Sequence, residues 1–461
     1  MRAGAVFVPL AAVLAGLWMG PARADLATAH EDFVAKRYDK ALPEYKELAE
    51  LGNGVAQFAL ALMYHDGLGT HVSMTSAYAW ALLAQENGIA QARSVVEELQ
   101  PQLSPVSLKI AGEIHDQYAR AALEKRLMPE VLMSGDDPNH QSCRILHAYV
   151  PAYPAEASLR GIEGGVYVEA TVTPDGHAHH PRVTYELPQG QNFGATARTS
   201  MLRTLFSTGH DASGKPASCT ITVYFQFIWN GSGDYPRLNQ LAEKTFKKAA
   251  GGEVGAQVLY GMLLDGLPQL AAHRNQALTW FTMAAQAGSP FAQYRVGTQM
   301  LNGRACHCDE RKAAIWLERA ASADEPDAQV TIAGYLLRGD PKPEDIKRAG
   351  DWLERAAAHG NNDAKLYLAA LLAAAPVADM RDPKRALELL DGLRHLYAED
   401  PSSWEIRASA EANLGDFKAA VRDESSALSH ARSLQWDTKP LEERLELYKP
   451  RQPFEGTLLE F

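Results

Sequence analysis

"AQFALALMYHDGLGTHVSMTSAYAWALLAQENG" runs from Ala56 to Gly88. Apolar residues recur at helical spacing in both halves, and Gly67 stands between them, where one helix should end and the chain turn. The second half carries Ala77, Trp80 and Ala84, three positions on one helical face. The same register returns downstream. "GAQ", "FAQ", "DAQ" and "DAK" place alanines at Ala256, Ala292, Ala328 and Ala364, at one constant interval. Behind the first three follow Ala277, Ala313 and Ala349, then Trp280, Trp316 and Trp352, then Ala284, Ala320 and Ala356; Gly303 and Gly339 match Gly67. Each unit reads as a helix of about a dozen residues, a glycine turn and a second helix marked A-x-x-W-x-x-x-A. Alanines let backbones approach closely while the tryptophan fills the groove between stacked hairpins. Core packing, not ligand binding, is the role expected of these tryptophans.

The chain has 461 residues, enough for two to four domains, and 46% of them are hydrophobic, as in a globular protein. A formal charge of −11 gives no footing for nucleic acid, whose phosphates demand a basic face. Arg2, the apolar run "AVFVPLAAVLAGLWMG" and "ARA" at Ala22–Ala24 read as a signal peptide over 1–24, cleaved before Asp25. The alternative is an uncleaved anchor, since no charge separates Arg2 from Arg23 and about 20 apolar residues span a bilayer. Contact with a membrane is expected only in that case.

The repeat pattern resembles the Sel-like (SLR) family, relatives of the tetratricopeptide repeats. The resemblance covers roughly 25–128 and 237–450. A stretch from Ala92 to about Met128, with Glu113 and Asp116 where Ala and Trp belong, reads as a cap. "AEANLGDFKAAVRDESSAL" (Ala410–Leu428) and "LEERLELYKPRQPF" (Leu441–Phe454) are similar to the last unit of tetratricopeptide proteins. The family implies a surface that holds another protein.

Between the helical stretches the pattern changes to period two. Val166, Val168, Ala170 and Val172 share one face of a strand; "TPDG" (Thr173–Gly176) supplies turn chemistry; a second strand follows near Arg182–Leu187. Asn192 is expected to cap a helix over about 193–206, with Phe193, Ala197, Met201 and Leu205 on one stripe. In the last strand Ile221, Val223, Phe225, Phe227 and Trp229 alternate with Thr220, Thr222, Tyr224 and Gln226. The order is ββαβ: a three-stranded sheet under one helix. "YPAEA", "GIEGGVYVEATVTPDG" (Gly161–Gly176), a Phe-led helix and "ITVYFQF" together make this segment similar to the TonB C-terminal domain. That resemblance implies a periplasmic domain that grips the TonB box, a short extended segment of outer-membrane transporters, partly by sheet-edge addition. Three departures separate the chain from a TonB energy transducer. It has no Pro-rich tract, its only candidate anchor looks cleavable, and "FSTGHDASGKPAS" replaces the usual aromatic and proline cluster.

The expected fold class is therefore multidomain α and α+β: an α-solenoid of helix hairpins with an inserted three-stranded ββαβ TonB-like domain. The expected division is signal peptide or anchor 1–24, N-terminal Sel-like repeats with cap 25–128, linker 129–144, TonB-like domain 145–231, Sel-like repeats 237–375 and tetratricopeptide-like repeats 376–454. In an exported protein four cysteines favour disulfides. Cys219 shares parity with Ile221 and Val223, and Cys143 lies just before the domain, so these two are expected to be joined. In "ACHCDE" (Ala305–Glu310), Cys306 and Cys308 read as a local disulfide, a strained redox pair, half of a metal site, or two inert thiols. "HAHH" (His177–His180) reads as a surface turn or a metal site.

No nucleophile–base pair, P-loop or zinc-protease motif stands out. The sequence points to a non-enzymatic interaction protein of the Gram-negative periplasm, or one anchored in the inner membrane and facing the periplasm, with no cofactor. Its partners would be TonB-box-like peptides of outer-membrane transporters, hence a link to transmembrane transport, or other envelope proteins. The free edge of the Cys219–Trp229 strand is the candidate dock, with Thr220, Thr222, Tyr224 and Gln226 reading the guest; the alternative is that this edge is covered by Gly231–Pro236 or by a second copy. The alternative function is thiol-redox or metal handling at the Cys306/Cys308 loop.

Overall fold

A computed structural model describes residues 25–133, 135–137, 143–210, 214–228, 236–266, 270 and 273–459. The signal-peptide expectation, Trp229 and the segment 231–235 lie outside the described residues. In chain order the helices α1 (Leu26–Val34), α2 (Tyr38–Glu50), α3 (Gly54–Asp66), α4 (Met74–Glu86), α5 (Ala92–Leu99), α6 (Pro105–Tyr118) and α7 (Arg120–Arg126) come first. The β region follows: β1 (Ile145–His147), α8 (Ala155–Leu159), β2 (Gly164–Val172), β3 (Ala178–Leu187), α9 (Phe193–Arg203), β4 (Leu205–Phe206), β5 (Gly209–His210), β6 (Pro216–Ala217) and β7 (Cys219–Phe227). Helices resume with α10 (Pro236–Ala250), α11 (Val254–Gly266), α12 (Arg274–Gln286), α13 (Pro290–Leu301), α14 (Glu310–Ser322), α15 (Pro326–Leu337), α16 (Pro343–Ala358) and α17 (Asn362–Ala374). The last are α18 (Pro383–Asp391), α19 (Pro401–Asn413), α20 (Phe417–Leu434) and α21 (Lys439–Tyr448).

Local chemistry explains why the hairpins begin where they do. Asn53, Ser289 and Asn361 sit three residues before a repeat alanine, and each side chain accepts the backbone N–H of Ala56, Ala292 or Ala364 at 2.9, 3.3 and 2.8 Å. That satisfies one of the orphan donors of each first turn. The glutamine after the alanine is buried and reaches backwards: Gln57, Gln257 and Gln293 donate to the carbonyls of Ala49, Ala249 and Ala285. Each thereby ties its hairpin to the end of the preceding helix. Gly67 closes α3 in the left-handed region at φ 70°, a conformation that costs glycine nothing. Trp316 and Trp352 are fully buried; Trp280 is half-buried against Phe246 and Tyr260.

The chain divides into two compact units. The first joins the residues up to Asp137 with Arg237–Glu325. Within it the Trp316 indole donates to the Leu127 carbonyl at 2.9 Å, Gln286 donates to Leu51 at 2.9 Å, and Arg319 pairs with Glu47 at 2.8 Å. The N-terminal cap and the later repeats therefore share one interior.

The second unit joins Pro138–Pro236 with Pro326–Phe461. Its main sheet is antiparallel with the order β3-β2-β7. Val166, Val168, Ala170 and Val172 of β2 pack on Phe193, Ala197 and Met201 of α9. Two local expectations need correction. Asn192 has φ 61° and makes no capping bond; the carboxylate of Glu186 accepts the N–H groups of Phe193 and Gly194 instead, at 3.2 and 3.3 Å. Leu205 does not continue the helical stripe. The helix stops at Arg203, and Leu205 belongs to β4, which pairs with β1.

Candidate peptide-binding edge of the β domain

A three-stranded sheet has two edges, and here they differ. β3 is irregular. His180 and Pro181 stand together opposite Ala170 alone, and Thr184 is an extra residue between the Tyr167–Tyr185 and Val168–Val183 pairs. Both are β-bulges, and Pro181 lacks an N–H to offer. Arg182 of β3 is buried, pairs with Glu169 at 2.5 Å, and donates to Thr331 of α15 at 2.6 Å and to the Asp327 carbonyl at 3.4 Å. Arg198 of α9 pairs with Asp363 of α17 at 3.2 Å and lies over the Tyr397 ring at 4.3 Å. Glu169 alternates with the core-facing Val168 and Ala170, so the Arg182 ties set α15 against the sheet face opposite α9, at β3.

The opposite edge is regular. β7 pairs with β2 over nine consecutive positions, Gly164–Phe227 to Val172–Cys219, without a bulge. Among the described residues its other side meets no strand. Ile221, Val223 and Phe225 point into the core with Cys219 and Phe227. By alternation Thr220, Thr222, Tyr224 and Gln226 lie on the opposite face, and all four are half-buried. Tyr224 rests on Tyr167 of β2 with ring centroids 4.8 Å apart. A Cβ at Gly165 would come within 1.8 Å of the Tyr224 hydroxyl, so glycine there is what lets the ring lie down. The Gln226 side-chain nitrogen is buried without an acceptor among the described residues.

Cys143 and Cys219 are joined, with Cα atoms 6.1 Å apart, inside the range a disulfide spans. The bridge fixes the start of β7 to the chain entering the domain.

The remaining candidates carry less chemistry. Cys306 and Cys308 are not joined, which corrects the local disulfide. Their sulfurs turn instead to the end of α13, donating to the carbonyls of Gln299 and Leu301. Burial, reinforced by nearby acidic groups and for Cys306 by its partner thiol, pushes the Cys306 thiol up to about 12 and Cys308 up to about 11. Protonated thiols are poor nucleophiles and poor ligands. Among the described residues no group of three His, Cys, Asp or Glu could hold a metal ion. The histidines of "HAHH" serve the hairpin and its neighbours. His179 stacks on Trp436 at 3.7 Å, and burial holds His180 down to about 3. Burial alone would raise the Asp175 carboxyl, but bonds from His179, Thr173 and the N–H groups of Asp437 and His177 hold it well below its usual range.

Comparison with known proteins follows the same division. Residues 149–228 match the Gram-negative bacterial TonB protein C-terminal family, and residues 54–88, 254–289, 290–325 and 326–361 match the Sel1 repeat. No curated protein matches the chain. Among solved structures, a Sel1 repeat protein from Oxalobacter formigenes is similar at 19% identity, covering 46% of this chain and 97% of its own, with a TM-score of 0.34. The c5321 protein of uropathogenic Escherichia coli, a protective antigen displaying an SLR fold, is similar at 18% identity over 91% of this chain and 84% of its own, with a TM-score of 0.31. A TonB C-terminal domain thus sits in this chain between Sel1 repeats.

Proposed function

We propose that this protein is a non-enzymatic adaptor of the Gram-negative periplasm, whose TonB-like domain captures an extended peptide along β7 while the helical repeats hold other envelope proteins. Both kinds of module are protein-interaction folds. The observation that carries the reading is the asymmetry of the sheet: β3 is bulged, interrupted by Pro181 and packed on helices, whereas β7 is regular and meets no further strand among the described residues. A helical solenoid satisfies its backbone bonds internally, so only a strand edge offers main-chain donors and acceptors to a guest. Segments of TonB-dependent outer-membrane transporters are the guests the family suggests. Compartment and chemistry agree, because a bridge such as Cys143–Cys219 persists in oxidising surroundings. Among the described residues no helix is long and apolar enough to cross a membrane. The domain limits 145–231, 237–375 and 376–454 belong to the same proposal.

The test is a proline pair. Neighbouring residues of a strand aim their N–H groups to opposite sides, so of Val223→Pro and Tyr224→Pro one breaks a bond to β2 and the other removes only an outward donor. The outward variant is expected to keep its melting temperature and to bind a TonB-box-like peptide about tenfold less tightly in calorimetry. Unchanged binding in that variant overturns the proposal.

A further inference from the structure

A cleft of about 540 Å³ opens within the C-terminal helices of the second unit, between α18, α19 and α20. Its volume is that of a ligand pocket. Leu390, Leu393 and Trp404 give it an apolar wall. The Trp404 indole is fixed in place, donating to the Ala398 carbonyl at 3.1 Å with its ring stacked on His430. Around that wall stand three guanidinium groups, Arg394, Arg407 and Arg422.

Each guanidinium has a carboxylate partner, and one of these, Asp423, lines the cleft as well. Asp391 takes Arg407 at 2.6 Å and Arg394 at 3.0 Å. Asp423 takes Arg422 at 2.6 Å, with Glu411 at 3.5 Å. Asp423 and Glu411 are sunk in the helical packing, with side chains only 3% and 10% exposed, while Arg394 and Arg422 are 67% and 66% exposed. A guanidinium carries five N–H donors in a planar fork, more than these pairings use. Burial, then the Asp423 charge, pushes Glu411 up to about 7, and three guanidinium groups share the lining of the cleft with a single carboxylate, Asp423.

We infer that this cleft binds a peptide segment in which a carboxylate side chain adjoins an aromatic or branched apolar one. The apolar side chain would rest on Leu390, Leu393 and Trp404, and the carboxylate would meet Arg407 with Arg394 and Arg422 at the rim. A basic segment would meet three like charges, and a purely apolar one would leave the spare guanidinium N–H groups unused. The inference goes beyond the β7 proposal and does not depend on it.

The experiment titrates the mature chain with acetyl-Gly-Glu-Phe-Glu-Gly-amide by calorimetry, beside peptides with Gln or Lys for both Glu. The Glu peptide is expected to bind about tenfold more tightly than the Gln peptide, and the Lys peptide more weakly than either. In a double variant of the rim, Arg394→Gln with Arg422→Gln, made on an Asp423→Asn background so that no buried carboxylate is left without its partner, the advantage of Glu over Gln should vanish. The proline variants of β7 should bind this peptide as the unaltered protein does, which separates the two proposals. Equal binding of the Glu and Gln peptides, displacement of the Glu peptide by acetate at equal concentration, or an unchanged preference in the double variant each overturn the inference.

Discussion

The two outer strands of one sheet, β3 and β7, have been treated in opposite ways. β3 carries two bulges, a proline and a buried arginine whose partners lie on a neighbouring helix; β7 carries none of these. Exposed strand edges invite pairing with other chains, and proteins blunt them with bulges, prolines and inward charges. All three devices stand on one side here. The contrast teaches that an open edge is informative when the same sheet shows how an unwanted edge is closed.

The largest effect should come from the closed side. Arg182→Ala leaves Glu169 with its carboxylate buried and its ion-pair partner gone, and removes the bonds to Thr331 and Asp327. Breaking such a buried pair from one end costs about 3–5 kcal/mol. Chemical denaturation should show that loss, and hydrogen exchange should show β3 opening before β7. A double variant, Arg182→Met with Glu169→Leu, should recover most of the stability, because it removes the stranded charge. If Arg182→Ala were silent, β3 would not be held by this contact and the two edges would be alike.

The next effect belongs to the open side. Cys143 and Cys219 are separated by 76 residues, and a loop of that length gives a ceiling of roughly 4 kcal/mol in the chain-entropy model. Residual structure in the reduced chain lowers this, so Cys143→Ser with Cys219→Ser should cost about 2–4 kcal/mol by the same measurement. The bridge lies at the Cys219 end of β7, so the loss should be accompanied by faster exchange at Cys219–Val223 than at Phe225–Phe227. Uniform exchange along the strand would mean that the bridge stabilises the domain without steadying this edge.

Much of this architecture was legible in the sequence, and the reasons for what was not are physical. The constant interval of alanines and tryptophans set out the hairpins because stacking repeats the same packing problem at each step. Period-two alternation set out β2 and β7. The disulfide followed from parity. Gln57, Gln257 and Gln293 beside their repeat alanines were visible as letters but not as ties, because each acceptor lies in the preceding helix. Glu186 was missed as the cap of α9 since it comes from a strand rather than the position before the helix. The ties between the β domain and the later helices could not be read at all. Arg182 and Arg198 find Thr331 and Asp363 at separations of 149 and 165 residues, where no spacing rule reaches. Hence the sequence could place four residues on the outward face of β7 but could not say which helix would meet that face at β3.

The smallest effect on stability should be the sharpest test of the comparison. Thr220 is half-buried on β7 opposite Thr171. Thr220→Lys should shift stability by no more than about 0.5 kcal/mol, since the ammonium can extend into water from an edge strand. A guest strand lying along β7 would deprive that ammonium of solvent, which is how an edge lysine discourages pairing. Affinity for an extended peptide should therefore fall about tenfold or more while the melting temperature holds. Thr220→Val separates charge from shape: it keeps the β-branched form and should bind as the unaltered protein does. If Thr220→Lys binds the peptide equally well, no strand is added along β7, and the open edge is a surface that folding leaves exposed without using it.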